Sequence, residues 1–250
     1  MNKVNALVLA GDSNKGEFGP DIINKSFIEI DGKWLVEYVV DALRESHRIH
    51  SISIVGPVER LKNRLDGKVD YFIQEEKHIL ENLQIGLEPF KEDDFVIVVT
   101  SDIPMINGDV ISDFIERCSI YEADLCYPIV DKKVNNRLYP GFSRTYVKLK
   151  DGTFTGGNIV GINPEKMKSY WEFASRIIEK RKKPLELGRL LGPRFLLLLA
   201  TGQLSIAHIE ERFFELLKIK ARAIISPYPE IANDIDQPGH IEIVNQYLKK

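Results

Sequence analysis

What the chain has little of narrows the field first. Of 250 residues only two are cysteine, Cys118 and Cys126. Their spacing fits no metal or redox motif, so both read as reduced thiols of a cytosolic protein. No apolar run approaches the ~20 residues a membrane span needs. The greasiest later stretch, Phe195 to Ala200, is far shorter. Neither sign of charge dominates: the net charge of -3 provides no basic field for nucleic acid. His47, His50, His78 and His208 fall in no ligand spacing. There is no internal repeat and no low-complexity linker. Met1 to Asn5 runs straight into an apolar segment, leaving no room for a signal peptide.

What is present is a sizeable core and a regular alternation. The chain is 44% hydrophobic, and its length suits one or two domains. Phe95 to Val99 is an unbroken run of β-formers, as expected of a strand covered on both faces. It ends abruptly in Thr100-Ser101-Asp102, and Ile103-Pro104 then stops the pairing. A carboxylate at the carboxyl end of a buried strand sits where open α/β sheets bind ligands. Ala6 to Ala10 is a second buried strand, followed by a loop, Gly11 to Pro20, rich in glycine and small polar residues. Gly11 and Gly16 let backbone N–H groups approach a phosphate.

Between these strands the pattern predicts a short strand at Phe27–Ile30, a turn at Asp31-Gly32 and an amphipathic helix over Trp34–Arg44. Strands at 52–56 and 70–74 then alternate with helices at 58–65 and 79–87. Such alternation indicates βαβ units and a mostly parallel sheet. A helix over Gly108–Tyr121 and a strand over Leu125–Val130 complete this half.

The grammar then changes. Arg144 to Lys150 alternates and turns at Asp151-Gly152 into Thr153–Thr155, a hairpin. Gly156-Gly157-Asn158 interrupts, and Ile159–Ile162 resumes as a strand. Helices are expected over Pro164–Arg181 and Leu185–Leu217, the latter broken near Gly192-Pro193 and Thr201-Gly202. Ala221–Ile225 is a last strand, Ile231–Pro238 an acidic loop and Gly239–Tyr247 a closing helix. The apolar segment around Phe195–Leu199 reads as a helical face packed on the sheet or on a second subunit. A contact for a lipid-like acceptor is the competing reading.

Two sets of polar residues can meet at the carboxyl edge of this sheet. One is Asp102 with the Gly11 loop and Lys25; the other is the segment Asn233 to His240. Mg²⁺ takes one or two carboxylates and keeps phosphates and waters as its other ligands. Asp102 with Asp234 or Asp236 meets that need, and Lys25 can neutralise a reacting phosphate.

Four segments together resemble the nucleotidyltransferases of the nucleotide-diphospho-sugar transferase (GT-A-like) fold, in the MobA-like NTP transferase branch. Leu7-Val8-Leu9-Ala10-Gly11 is similar to the family's opening L-x-x-A-G. Asn24 to Lys33 is similar to its P-K-x-L-x-x-x-x-G-K/R, and Ser101-Asp102-Ile103-Pro104 to its S-D-x-P. Asp236-Gln237-Pro238-Gly239-His240 is similar to the closing D-T-P-E-D of enzymes that activate acidic sugars with CTP.

The resemblance implies one α/β domain over 1–250, a mostly parallel central sheet flanked by helices. Residues 1–130 would be the nucleotide-binding half and 131–230 an acceptor-side region with a hairpin and a helical insertion. Residues 231–250 would be the metal loop and closing helix. It implies that Leu9, Ala10, Gly11, Asp12 and Lys15 hold the nucleotide, with Gln74 and Asn82 toward the base. Lys25 and Asp102 would be catalytic, Asp102 and Asp236 would bind Mg²⁺, and Gly157 and Asn158 would face the acceptor. The partners would be a nucleoside triphosphate and a small phosphorylated acceptor, a sugar or polyol phosphate, in the cytoplasm; self-association is left open.

Four positions depart from the pattern. Asp12 stands for the second glycine, and only Lys15 lies near the loop arginine. Asn24 replaces the proline before Lys25, and His240 replaces the last acid. These departures keep two alternatives open: a glycosyltransferase using a nucleotide sugar, for which Asp234-Ile235-Asp236 has the D-x-D spacing, and a non-catalytic nucleotide-binding protein.

Overall fold

The first strand lies inside the parallel part of the sheet. In the computed structural model, which describes residues 3–11, 18, 24–168, 170, 171, 173, 176, 180 and 184–249 (without the side chains of 184, 185 and 187), β1 spans Val4–Leu9. It pairs in parallel with β4 (Ile49–Gly56) on one side and β6 (Val96–Thr100) on the other. β5 (Tyr71–Gln74) adds in parallel to β4. β2 (Glu29–Ile30) and β3 (Lys33–Trp34) form a separate small hairpin in the β1 to β4 crossover.

Beyond β6 the sheet continues through β10 (Ile159–Ile162), which is antiparallel to both β6 and β7 (Leu125–Asp131). β9 (Gly152–Gly156) pairs with the far end of β7 and with β8 (Val147–Leu149), and β11 (Ala221–Ile225) pairs in parallel along the other edge of β7. The parallel strands thus deliver Gly11, Gln74 and Asp102 to one edge of the sheet, where ligands bind in open α/β folds.

The two faces of this sheet are filled differently. On one, Ala6, Val8, Ile97, Val99 and Ile159 are fully buried under the helices Leu35–Glu45 and Gly108–Ser119. On the other, Leu9, Val98, Leu125 and Val160 face a cavity of about 510 Å³ roofed by helical residues such as Leu199, Ile209 and Phe213. The apolar run Phe195–Leu199 therefore belongs to a helical layer over the sheet, split into Pro184–Leu191, Pro193–Ala200 and Ile206–Leu217. Both breaks fall at the predicted Gly192-Pro193 and Thr201-Gly202.

Four sequence expectations need correction or narrowing. Lys25–Phe27 forms a 3₁₀ turn, so the strand expected from Phe27 begins only at Glu29. The Asn24 side chain caps that turn, accepting from the Ser26 N–H at 2.8 Å. A helix over Lys132–Leu138 had no apolar periodicity to announce it; Asp131 starts it, accepting from the Lys133 N–H at 2.7 Å. The first hairpin strand is shorter than the alternation from Arg144 predicts, because Arg144 turns into the site described below and the Tyr146 hydroxyl donates to Asn136 at 3.2 Å. Of the helix expected over Pro164–Arg181, Pro164–Lys168 is present as drawn, and most of the remainder lies outside the described residues.

Candidate active site

Asp102 follows β6 directly. The Thr100 hydroxyl donates to its Oδ1 at 2.6 Å, which orients the carboxylate and leaves Oδ2 to Lys25. Lys25 Nζ donates to Asp102 Oδ2 at 2.8 Å, to the Ile235 carbonyl at 3.2 Å and to Asp236 Oδ1 at 3.3 Å. Lys25 is buried, only 7% exposed. Burial alone would lower its pKa, but the charge and hydrogen bond of Asp102, then of Asp236, outweigh this and raise it. The ammonium is thus held charged between two carboxylates far apart in the chain.

Asn24 and Ser26 fix the turn that carries Lys25. Asn24 Nδ2 donates to the Ala10 carbonyl at 2.9 Å, Ser26 Oγ donates to the same carbonyl at 3.2 Å, and the Ser26 and Ser101 hydroxyls are 2.7 Å apart. A proline at position 24 could make neither of the Asn24 side-chain bonds, so this departure has a structural use. Through this net the ends of β1 and β6 and the lysine turn move as one unit.

The segment 234–236 closes the site from the other side. The Ile235 N–H donates to the Asp102 carbonyl at 2.9 Å. Buried Asp234 forms an ion pair with Arg144 and accepts from Asn158 Nδ2 at 3.3 Å. Asn158 also donates its N–H to the Ile231 carbonyl at 2.8 Å and accepts from the Thr100 N–H at 3.1 Å. Gly157 lets this crossing occur: a Cβ there would lie 2.8 Å from the Pro128 ring and 3.1 Å from the Ile231 carbonyl. Burial lowers the pKa of Arg144, against the raising effect of Asp236. Among the described residues its Nε is buried with no partner, as are both polar atoms of the Asn233 side chain.

His240, which stands where the resemblance expects an acid, braces this loop. Its ring stacks on Phe142 with centroids 4.7 Å apart. Its Nε2 lies 2.8 Å from the Gln237 amide nitrogen, and its Nδ1 lies 3.2 Å from the Asp234 carbonyl oxygen and 3.4 Å from the Asp236 backbone nitrogen, so both ring nitrogens tie the loop together. Burial lowers the His240 pKa, and Arg144 and Lys25 add to this against Asp236, so the neutral ring is favoured.

Carboxylate oxygens of Asp102, Asp234 and Asp236 lie within 4.8 Å of one another. Three acids face two cations, Lys25 and Arg144, so the cluster retains excess negative charge. Asp234 is committed to Arg144 and Asn158, which leaves Asp102 and Asp236 as the pair suited to a hard divalent cation such as Mg²⁺.

The remaining sequence candidates spread along the same sheet edge. Leu9 lines the cavity. Ala10 is buried, donating its N–H to the Val55 carbonyl at 2.8 Å. Gly11 passes so close to the loop after β5 and the helix Ile79–Leu87 that a Cβ would meet Glu75 Oε2 at 2.7 Å and Asn82 Nδ2 at 3.1 Å. Asn82 shapes that neighbouring loop, accepting from the Glu76 N–H at 2.6 Å and donating to the Glu76 carbonyl at 3.2 Å. Exposed Gln74 ends β5 and accepts from the Val58 N–H at 3.4 Å. Asp12 and Lys15 lie outside the described residues. Sequence reasoning missed Thr100, Ser26, Ser101 and Arg144. Hydroxyls beside Asp102 (Thr100, Ser101) and beside Lys25 (Ser26) were a visible signal for the first three, whereas Arg144 had none.

The chain is similar to known proteins. The MobA-like NTP transferase domain family matches residues 6–171, more than half of the chain. The chain belongs to this family. Among curated relatives, the MobA-like protein described here is 26% identical over 160 residues to 2-C-methyl-D-erythritol 4-phosphate cytidylyltransferase of Clostridium novyi (strain NT), covering 60% of this chain and 68% of that enzyme. Against the same enzyme of Clostridium perfringens (strain SM101 / Type A) it is 27% identical over 123 residues, covering 46% of this chain and 54% of the enzyme. Among solved structures, a hypothetical transferase from Thermus thermophilus is 32% identical with a TM-score of 0.83, covering 96% of this chain and 99% of that one. A CMP:2-keto-3-deoxy-manno-octonic acid synthetase complexed with CTP shares the fold at 12% identity and TM-score 0.63, covering 100% of this chain and 99% of that one.

Proposed function

We propose that this MobA-like protein is a divalent-metal-dependent nucleotidyltransferase, that it joins the nucleotidyl group of a nucleoside triphosphate to a phosphorylated acceptor with release of pyrophosphate, and that CTP is its donor. The observation that carries this reading is the Lys25 ammonium held between Asp102 and Asp236 at the carboxyl edge of the parallel sheet. The cytidylyltransferase relatives support CTP.

In the reaction, an oxygen of the acceptor phosphate bonds to the α-phosphorus of the triphosphate. The bond from that phosphorus to the bridging oxygen breaks, and pyrophosphate leaves with that oxygen. Lys25 offsets charge on the phosphoryl oxygens, and Asp102 and Asp236 hold Lys25 in place. Thr100 and the Asn24–Ser26 net keep Asp102 and Lys25 from reorganising during the reaction. Asp102 and Asp236 would hold Mg²⁺, which when bound supplies further charge neutralisation to the triphosphate. The exposed edge beside Gly11, Gln74 and Asn82 would receive the nucleoside. The D-x-D spacing is no separate support for a glycosyltransferase, since Asp234 is engaged by Arg144 and Asn158.

Thermal stabilisation by ATP, CTP, GTP, UTP and dTTP, each with and without Mg²⁺, tests the reading. At a hundred times its Kd the correct triphosphate adds about 2.7 kcal/mol, a shift of several degrees for a chain this long. CTP should give that shift only with Mg²⁺, and Asp102→Ala should lose it. No shift with any triphosphate would reject the function; a shift with another base alone would reject CTP.

A further inference from the structure

The charged cluster opens onto a cavity that a small polar acceptor does not need. Asp234, Asp236, Arg144 and Asn158 line its polar end, and from there it runs beneath the helical layer along the sheet. Its walls are mostly apolar, set by residues such as Val98, Val160, Phe154, Phe195, Ile209 and Phe213. The volume is about 510 Å³. An apolar cavity of ~150 Å³ stays dry and holds one benzene. By that measure this one has room for an aliphatic chain on the order of fifteen to twenty carbons.

Two further observations point to what fills it. The sheet face beneath the cavity is formed by the same strands whose opposite face is packed to complete burial, so the chain does not lack the means to fill this space. At the polar end, the Nε of Arg144 is a buried donor with no acceptor among the described residues, on a side chain only 12% exposed. Buried donors are normally satisfied, and this one adjoins the place where the apolar walls meet the charged cluster.

We propose that the cavity takes the apolar chain of an amphiphilic phosphate, an alkyl or isoprenyl phosphate, whose head reaches the Arg144 end. Together with the proposed function, on which this part rests, that molecule is the acceptor: its phosphate oxygen attacks the α-phosphorus while its chain lies under the helices. The tail then supplies binding that a sugar or polyol phosphate would have to obtain from hydroxyl contacts. Each buried methylene should tighten binding on the order of fourfold.

The test is calorimetric titration of the intact protein with inorganic phosphate and with butyl, octyl and dodecyl phosphate, each below its micelle concentration and with Mg²⁺ present. Affinity should rise steeply from butyl to dodecyl, with inorganic phosphate weakest. Val160→Phe, which narrows the cavity from β10, should weaken the dependence on chain length. Phe213→Ala, which enlarges the cavity from the helical side, should extend it to longer chains, and so serves if Val160→Phe fails to fold. Equal affinity for butyl and dodecyl phosphate would overturn the inference. So would a chain-length dependence that survives unchanged in a folded Val160→Phe protein, because the tails would then bind elsewhere. Stabilisation by CTP and Mg²⁺, measured on the same samples, separates the two readings. If it holds while the tails fail to bind, the transferase stands without a lipid acceptor. If it is absent while the tails bind as expected, the cavity is a lipid-phosphate site and the transferase reading falls.

Discussion

The two faces of the central sheet are made by the same strands and have opposite fates. Val99 and Val98 are neighbours in β6, yet Val99 is fully buried among the helices Leu35–Glu45 and Gly108–Ser119, whereas Val98 looks into the cavity. One face is packed throughout, and the second is packed around Leu7, Val55 and Val96 as well. The second still leaves space beside the charged cluster. The difference teaches that hydrophobicity alone does not mark a core: an apolar wall becomes a core only when something packs against it, and otherwise it is a binding surface.

The comparison can be broken from several directions. The largest effect belongs to the charged end. Asp102→Asn should lower kcat/KM for pyrophosphate release by about a hundredfold to a thousandfold, while leaving both sheet faces folded and lowering the melting temperature only modestly, because an Asn oxygen can still accept from Lys25 and Asp236 still pairs with it. A loss of activity matched by a loss of fold would mean that Asp102 belongs to the core rather than to the chemistry.

Next comes Lys25→Met, which leaves Asp102 and Asp236 facing each other without their shared ammonium. In the presence of a chelator this variant should lose about 1–3 kcal/mol, less than for a fully buried pair because both carboxylates retain some exposure. Millimolar Mg²⁺ should return much of it by replacing the missing positive charge. Denaturant melts with and without Mg²⁺ check this, and an absence of rescue would count against the metal site.

The faces themselves are compared by one substitution made twice. Val99→Ala should cost about 2–3 kcal/mol, from lost burial plus the void left in a tight core. Val98→Ala should cost about 1 kcal/mol, because part of that side chain already borders open volume. Equal costs would show that the second face is as closely packed as the first.

The smallest effect concerns His240. Its pKa is lower folded than unfolded, so its neutral form is the one that stabilises the fold. That contribution is complete above the unfolded value near 6.5 and is lost as the pH falls through the folded value. Wild-type stability should therefore decline on acidification below about pH 6.5, and His240→Asn should flatten that part of the profile. An identical slope in the variant would remove His240 as its source.

Much of the parallel half could be read from the sequence because its strands are continuous apolar runs ended by glycine or acid. The helices Val58–Leu65 and Ile79–Leu87 fall on their predicted bounds. Lys25, Asp102 and Asp236 were also legible, since the motifs that carry them are local, and the structure brings all three together. Three things were not. Arg144 reaches the site from a loop whose alternation looked like ordinary strand, and only tertiary folding turns it inward. The helix Lys132–Leu138 depends on a cap and on packing rather than on an apolar stripe. The cavity escaped notice because a strand lining an empty space and a strand lining a core have the same composition.

The contact of Lys25 with both Asp102 and Asp236 also bears on how the protein is made. Proteins emerge from the ribosome amino end first and fold as they emerge. The parallel strands and Lys25 are available early, but the carboxylate that completes the cluster arrives only with residue 236 of 250. A nascent chain can therefore assemble much of its sheet before Asp236 reaches Lys25, so the charged cluster is completed later than the strands that carry its first members.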